Sequence, residues 1–210
     1  MRIKLVKLNE VDSTNVYLCE HADCFNEELV VVQADYQTSG KGQGQNGWES
    51  QAEKNLLYSL LVHPQKLPVK SQFFLSMAGA LSIKAVLDEY VDDITLKWPN
   101  DIYWKDCKLS GTLIELSVHA QVIQRCVYGV GLNVNQAVFE SNAPNPVSLA
   151  QILGHELDRD KLLHQLITAF EQYYNRLEEG AFDEISNQYH AALYRREGVH
   201  PYRDREGCFQ

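Results

Sequence analysis

The residues best suited to chemistry lie in one stretch of the chain, the segment 97–101 followed by Lys108. Pro99 has no N–H to donate, so it ends the strand that the alternating apolar residues before it predict, and Asn100 and Asp101 fall in a turn. Lys108 then enters the next apolar run. A solvated edge lysine and a lysine that holds a developing negative charge are equally good interpretations of this stretch alone.

Hydrophobic patterns predict the elements that position this stretch. The predicted strands are 2–8, 28–34, 55–62 and 94–98, followed by a hairpin of 112–118 and 121–130 that turns near His119 and Ala120. The predicted helices are 16–22, 71–90, 148–154, 160–180 and 183–193. The hairpin is antiparallel, whereas strands and helices alternate elsewhere. We therefore expect an α+β fold, with a mixed sheet packed by helices.

Length and composition indicate one globular domain. The chain has 210 residues, of which 45% are hydrophobic and 22% are charged. A net charge of −9 repels a phosphate backbone and argues against a nucleic-acid partner. The five cysteines are scattered and never form CxxC, which fits a reducing cytoplasm better than a disulfide framework or a zinc site. The apolar run after Met1 is too short for a signal peptide, and no apolar run reaches the roughly 18 residues of a membrane span, so neither export nor membrane insertion is predicted.

Polar residues also gather at the start of the first predicted helix, where Ser13, Thr14 and Asn15 are consecutive. Capping of the helix is the ordinary explanation for such residues. Their hydroxyl, amide and backbone N–H groups would also suit a small polar ligand at a helix start. These residues alone are consistent with both interpretations.

Two glycine-rich segments follow predicted strands. Segment 37–48 has four glycines in eight positions, which suits a mobile lid whose exposed N–H groups close on an anion as well as it suits a flexible surface loop. It matches neither of the usual nucleotide-loop patterns. Trp48 ends it with an aromatic face that can stack on a ligand or pack in the core. Gly129 and Gly131 end the hairpin, where they permit close approach of a ligand to the backbone.

In their order and spacing, these segments resemble the signature of the biotin protein ligases. The resemblance makes Lys108 and Lys41 catalytic, with Lys108 touching both biotin and the phosphate under attack. It implies biotin contacts by Ser13, Thr14, Asn15, Gln37, Gly40, Lys41, Gly42, Gln43, Lys108, Gly111 and Gly129. It implies ATP contacts by Lys41, Gln43, Trp48, Asn100, Asp101, Gly131 and Asn133.

The glycine loop departs from the family pattern at two positions. Lys41 stands where the family usually has its first arginine, and Gln43 stands where it usually has the second. Lysine keeps the charge without the planar fork, and glutamine loses the charge. We therefore expect weaker phosphate binding by this loop than is usual in the family.

The activity that the resemblance implies is a two-step ligation. Biotin and ATP form biotinyl-5′-AMP, which a lysine of a biotin carboxyl carrier protein then attacks. Mg²⁺ is expected on the ATP oxygens, near Asp101, with no metal site built from protein groups alone. Two other functions remain open: ligation of lipoate or octanoate, whose ligases share the fold, and biotin sensing with degraded catalysis. A homodimer is also left open, whereas the ten residues before Val11 are too few for a helix-turn-helix domain.

The resemblance also predicts a domain boundary. Residues 1–195 are expected to form the catalytic domain, and 196–210 are expected to begin a small C-terminal β domain that is otherwise absent. The last segment is predicted to be extended, with a turn at Arg205-Glu206-Gly207 and no partner for the strand before it.

Overall fold

The computed structural model describes residues 1–44, 46–65, 67–141, 145–203 and 207–209. Its strands are β1 Ile3–Val11, β2 Leu29–Gln37, β3 Leu56–Val62, β4 Ile94–Lys97, β5 Asp101–Trp104, β6 Cys107–His119, β7 Val122–Leu132, β8 Tyr202–Arg203 and β9 Cys208–Phe209. Its α-helices are α1 Thr14–His21, α2 Phe73–Leu87, α3 Leu149–Leu153, α4 Arg159–Glu178 and α5 Phe182–Ala191. Short 3₁₀ turns occupy Ala22–Cys24 and Val69–Ser71.

The first seven strands form one mixed sheet in the order β1-β2-β3-β7-β6-β5-β4. β1 pairs with β2 in parallel, and every other pair in this sheet is antiparallel. The predicted hairpin is present as β6 and β7, with Ala120 and Gln121 at positive φ in its turn. The expected α+β class with a mixed sheet is confirmed.

The sheet buries both of its faces, as the run of valines in β2 predicts. Leu29 and Val31 belong to the larger core, which α2, α4 and α5 cover. Val30 and Val32 point the other way, into a smaller core beneath α1. Because α1 is short, part of this second face is left for the site.

One strand of the sheet was not predicted. β5 is only four residues long and follows a proline turn, and its pairing extends β6 back to Cys107. On α4, Leu166, Phe170 and Tyr174 are buried at a spacing of four residues. α2 is buried on nearly all sides, because it lies between the sheet and two other helices.

The last strand does have a partner, contrary to expectation. Tyr202 of β8 pairs with Phe209 of β9, and Arg203 pairs with Cys208. Arg205 and Glu206 of the predicted turn lie outside the described residues. The domain boundary near residue 195 stays a prediction. In the described part of the chain, no helix has both the length and the apolar character needed to cross a membrane.

Gly79 lets α2 pack closely against Tyr128 of β7. A Cβ at this position would lie 2.3 Å from Cζ of Tyr128, which is buried. We expect Gly79→Ala to lower the free energy of unfolding by about 1–3 kcal/mol through overpacking, although alanine is the better helix former. Urea unfolding measures this, and an unchanged midpoint would mean that Tyr128 moves aside without cost.

Candidate active site

A trough on the α1 side of the sheet is lined by very small side chains. Side chains alternate along a strand, so Gly129 and Gly131 point to the same face as Val127, which packs beneath α1. Ser59 of β3 pairs with Gly129, and Gly111 of β6 pairs with Gly131. Because glycine has no side chain and that of serine is small, this part of the sheet leaves space beyond the end of α1.

Two adjoining cavities lie over this trough. The first has a volume of about 150 Å³, and its lining includes Ser13, Thr14, Asn15, Gln37, Lys41, Gly42, Gln43, Trp48, Asn100, Asp101, Lys108, Gly111, Gly129 and Gly131. The second, of about 760 Å³, shares Gln37, Trp48 and Lys108 with it and adds Gly40 and Asn133. Every site residue predicted from the sequence therefore lines one of the two. The two cavities do not divide these residues by predicted ligand: Gly40, assigned to biotin, lines only the second cavity, whereas five residues assigned to ATP line only the first, namely Lys41, Gln43, Asn100, Asp101 and Gly131.

Lys108 stands where the two cavities meet, and its backbone is held on the side away from β5. Its N–H donates to the Asn145 carbonyl at 2.8 Å, and its own carbonyl accepts from the Val147 N–H at 3.0 Å. Its ammonium lies 2.7 Å from Oδ1 of Asp101 and 5.6 Å from the Trp48 ring centroid. With 25% of the side-chain surface exposed, this cation is balanced by Asp101 yet open to a ligand.

The Trp48 indole occupies the trough itself. A Cβ at Gly131 would lie 2.3 Å from Cε2 of this ring, and one at Gly111 would lie 2.9 Å from Cζ3. The indole Nε1 is buried, and no described group accepts its hydrogen bond. The indole thus packs on the glycine surface at the boundary between the cavities.

A buried polar network stands at the end of the first cavity next to α1. Gln37 Oε1 accepts from the Thr14 N–H at 2.8 Å and lies 3.0 Å from the Thr14 hydroxyl, which is 2.7 Å from the Ser59 hydroxyl. Ser59 donates to Asn15 Oδ1 at 2.5 Å, and Asn15 Nδ2 donates to Glu115 at 2.8 Å. By contrast, the Ser13 side chain makes no capping hydrogen bond at the start of α1. Capping by Ser13 therefore does not account for this cluster.

Ser59 and Glu115 were missed in the sequence. Each carries a signal that could have found it, since Ser59 interrupts the apolar run of β3 and Glu115 that of β6. A polar residue inside an apolar strand must find a hydrogen-bond partner. In both cases the network supplies that partner.

The glycine loop folds on itself as a small hairpin, in which Lys41 pairs with Gly47. The Gly42 N–H donates to the Asn46 carbonyl at 2.7 Å, and the Trp48 N–H donates to the Gly40 carbonyl at 2.9 Å. These two N–H groups are therefore bonded within the loop, and closure of the loop on an anion stays a prediction. Lys41, whose side chain is exposed, lies at the mouth of the first cavity.

The two predicted asparagines have different surroundings. Asn100 donates through Nδ2 to the Thr112 carbonyl at 2.7 Å and thereby holds β6 beside the turn. Asn133 donates to the Val147 carbonyl at 3.1 Å, while its Oδ1 is buried and no described group donates to it. A buried acceptor without a partner is unusual in proteins. The Asn133 oxygen thus has no hydrogen-bond partner among the described residues, although Asn133 lines the second cavity.

Glu49 anchors the rim of the second cavity. Its carboxylate accepts from the N–H groups of Glu140 and Ser141, each at 2.8 Å. Burial acts to raise the pKa of this carboxyl, but the hydrogen bonds from Ser141 and Glu140 outweigh it, and the pKa lies below its usual value. Glu49 therefore stays ionised at neutral pH and keeps residues 140 and 141 in place.

Known proteins are similar in sequence to the region of this chain that forms the site. A family model described as Biotin/lipoate A/B protein ligase family matches residues 9–133. The biotin–[acetyl-CoA-carboxylase] ligase of Mycobacterium tuberculosis is 34% identical over 77% of this chain and 60% of its own length. The bifunctional ligase/repressor BirA of Bacillus subtilis is 28% identical over 81% of this chain and 53% of its own length. The chain thus spans about half to three fifths of these relatives.

The fold agrees with the sequence match. The structure of the biotin protein ligase from Aquifex aeolicus in complex with biotin and ATP has a TM-score of 0.76 and 30% identity, covering 90% of this chain and 78% of that one. A mixed seven-stranded sheet packed with helices is the fold of the catalytic domain of biotin protein ligases. The chain belongs to the Biotin/lipoate A/B protein ligase family.

Proposed function

We propose that this chain activates the carboxylate of biotin with ATP and passes the acyl group to a lysine of a biotin carboxyl carrier protein. One observation carries the proposal: the Lys108 ammonium lies where a small polar cavity meets a larger one. In the first step a carboxylate oxygen forms a bond to the α-phosphorus, and the bond to pyrophosphate breaks. Both reactants are anionic, so a fixed cation between them lowers the barrier. In the second step the amine of the acceptor lysine attacks the activated carbonyl, and AMP leaves.

The two cavities suit the two substrates. In the first, Thr14 and Gln37 supply hydroxyl and amide groups that suit a cyclic urea better than the apolar dithiolane of lipoate. The second has the volume for a nucleotide, and the polar residues Ser39, Ser50 and Asn133 are part of its lining. Known structures of relatives hold ligands of both kinds, as in the Aquifex aeolicus complex with biotin and ATP.

Mg²⁺ fits this site as a companion of ATP. Within the described ranges, no three acidic, histidine or cysteine side chains converge to hold a metal ion. Asp101 is the carboxylate of the first cavity, and Mg²⁺ commonly takes one carboxylate, several waters and phosphate oxygens. We propose that Asp101 offers that carboxylate, while Lys108 neutralises the phosphate.

The deciding experiment is exchange of labelled pyrophosphate into ATP with biotin, lipoate or octanoate as the acid. Exchange that requires biotin supports the proposal, and exchange with lipoate or octanoate alone would replace it by the related acyl ligase. Binding of biotin by calorimetry with no exchange would instead indicate a sensing module. Labelling of a biotin carboxyl carrier protein then tests the second step separately.

Trp48 should report the arrival of ligand. Its indole lies in the trough, so a ligand that joins the cavities must displace it or stack on it, and its fluorescence must change. We expect biotin with a non-hydrolysable ATP analogue to shift the emission of the wild type. Trp98→Phe, at a position 67% exposed, should keep the shift, and Trp48→Phe should lose it. A shift that survives Trp48→Phe would place the ligand elsewhere.

A further inference from the structure

Glu115, Asn15, Ser59 and Thr14 form a continuous chain of short contacts, called here the relay, that runs from β6 through β3 to the first cavity. Asn15, Ser59 and Thr14 are each at least 96% buried. The direction of each bond between them follows from the donors and acceptors that the protein itself supplies.

The direction is set at Asn15. Its Nδ2 lies 2.8 Å from the Glu115 carboxylate and 3.3 Å from the Leu113 carbonyl, and both of these groups only accept. A flipped amide would place its oxygen against a carboxylate and a carbonyl, with no proton between them. The Asn15 oxygen must therefore face Ser59.

The direction of the bond between Ser59 and Thr14 follows from that of the bond between Ser59 and Asn15. Ser59 has one proton, and it is used on Asn15, so the 2.7 Å contact between Ser59 and Thr14 can be a hydrogen bond only if Thr14 donates. The other neighbour of the Thr14 hydroxyl, 3.0 Å away, is the Gln37 oxygen, which accepts the Thr14 N–H and hence cannot be the amide nitrogen. Both internal neighbours are acceptors. The Thr14 proton thus points into the protein in either arrangement.

We propose that the relay makes Thr14 an obligate hydrogen-bond acceptor toward the first cavity and so selects ligands that present an N–H there. This inference rests on the proposed function and deepens it, because the urea of biotin has N–H donors and lipoate has none. Glu115, Asn15 and Ser59 are positioning residues that act through Thr14. The carboxylate at the far end polarises the successive bonds in one direction and strengthens Thr14 as an acceptor.

A double-mutant cycle tests the relay, with calorimetry of biotin and of lipoate as the readout. Ser59→Ala and Thr14→Val should each weaken biotin binding about tenfold, the value of one lost hydrogen bond. If Ser59 acts through Thr14, then Ser59→Ala in the Thr14→Val background should change the affinity less than twofold. Glu115→Gln, which can either accept from or donate to Asn15, should follow the same pattern with a smaller effect.

Controls separate positioning from general damage. Ser82→Ala removes another buried hydroxyl, one that donates to the Gly79 carbonyl within α2, and should leave biotin affinity unchanged. Thr14→Ser keeps the acceptor and should retain affinity within about threefold. Lipoate affinity and the affinity for a non-hydrolysable ATP analogue should be the same in all variants.

The possible outcomes distinguish this inference from the proposed function. Wild-type protein that does not bind biotin would overturn the proposed function. Wild-type binding with additive effects of Ser59→Ala and Thr14→Val, or with equal losses for biotin and lipoate, would overturn the relay alone. Loss of biotin affinity that is coupled through Thr14 and spares lipoate supports it.

Discussion

Lys108→Ala should lower the rate of biotin-dependent pyrophosphate exchange at least 100-fold. The ammonium lies between the two cavities, where charge builds up as the carboxylate meets the phosphate, and loss of one such group costs about 3 kcal/mol. Since the effect falls on the transition state, the rate constant should fall much more than biotin affinity does. Pyrophosphate exchange and calorimetry on the same preparation measure the two quantities.

The matched control is Lys105→Ala, three residues earlier in the turn that precedes β6. That lysine is exposed, lies over the Trp104 ring at 4.6 Å and lines neither cavity. Lys108→Arg keeps the charge but spreads it over a planar group, so it should recover only part of the rate. If Lys108→Ala keeps more than half of the wild-type rate, this lysine is not catalytic.

Gly129→Ala should weaken biotin binding while leaving the protein folded. A Cβ at this position would lie 2.1 Å from Oδ1 of Asn15, whose amide is held by Glu115 and Ser59. The side chain of Asn15 must move, so the relay breaks and biotin affinity should fall at least tenfold. Overpacking should also lower the free energy of unfolding by about 1–3 kcal/mol.

A second variant separates the steric clash from the loss of function. Removing the Asn15 side chain in the double variant Asn15→Ala/Gly129→Ala eliminates the clash, so part of the lost stability should return. Biotin affinity should remain low, because no relay is restored. Denaturant unfolding and calorimetry follow the two effects, and Gly129→Ala protein that binds biotin within twofold of wild type would contradict the arrangement.

The fold class and the candidate site residues could be predicted from the sequence because both depend on local patterns. Alternating or continuous apolar runs identify β2, β3 and the hairpin, and glycines at strand ends mark the trough at Gly129 and Gly131. β5 was not predicted because four residues are too few to show a periodic pattern. It is a strand because it pairs with β4 on one side and β6 on the other.

The site's working geometry could not be predicted for a different reason. The contact of Asn15 with Glu115 joins residues 100 positions apart, so it follows from strand order and not from any local pattern. Likewise, the loop hairpin that places Trp48 on Gly131 depends on contacts with the completed sheet. Residue types indicated which groups take part, and tertiary packing decided which of them touch.

The parallel pairing of β1 with β2 brings two parts of the site, the start of α1 and the glycine loop, to the same corner of the sheet. Because these two strands run in the same direction, Val11 lies opposite Gln37, so the polar helix start and the glycine loop leave the sheet at one corner. Were β1 reversed, its nine residues, at about 3.3 Å each, would carry the helix start about 30 Å from the loop. A slip of one residue between β1 and β2 would already displace Thr14 by about 3.3 Å and break its N–H bond to Gln37. Ligand recognition in this chain is therefore as sensitive to the alignment of its first two strands as to the identity of any side chain in the cavities.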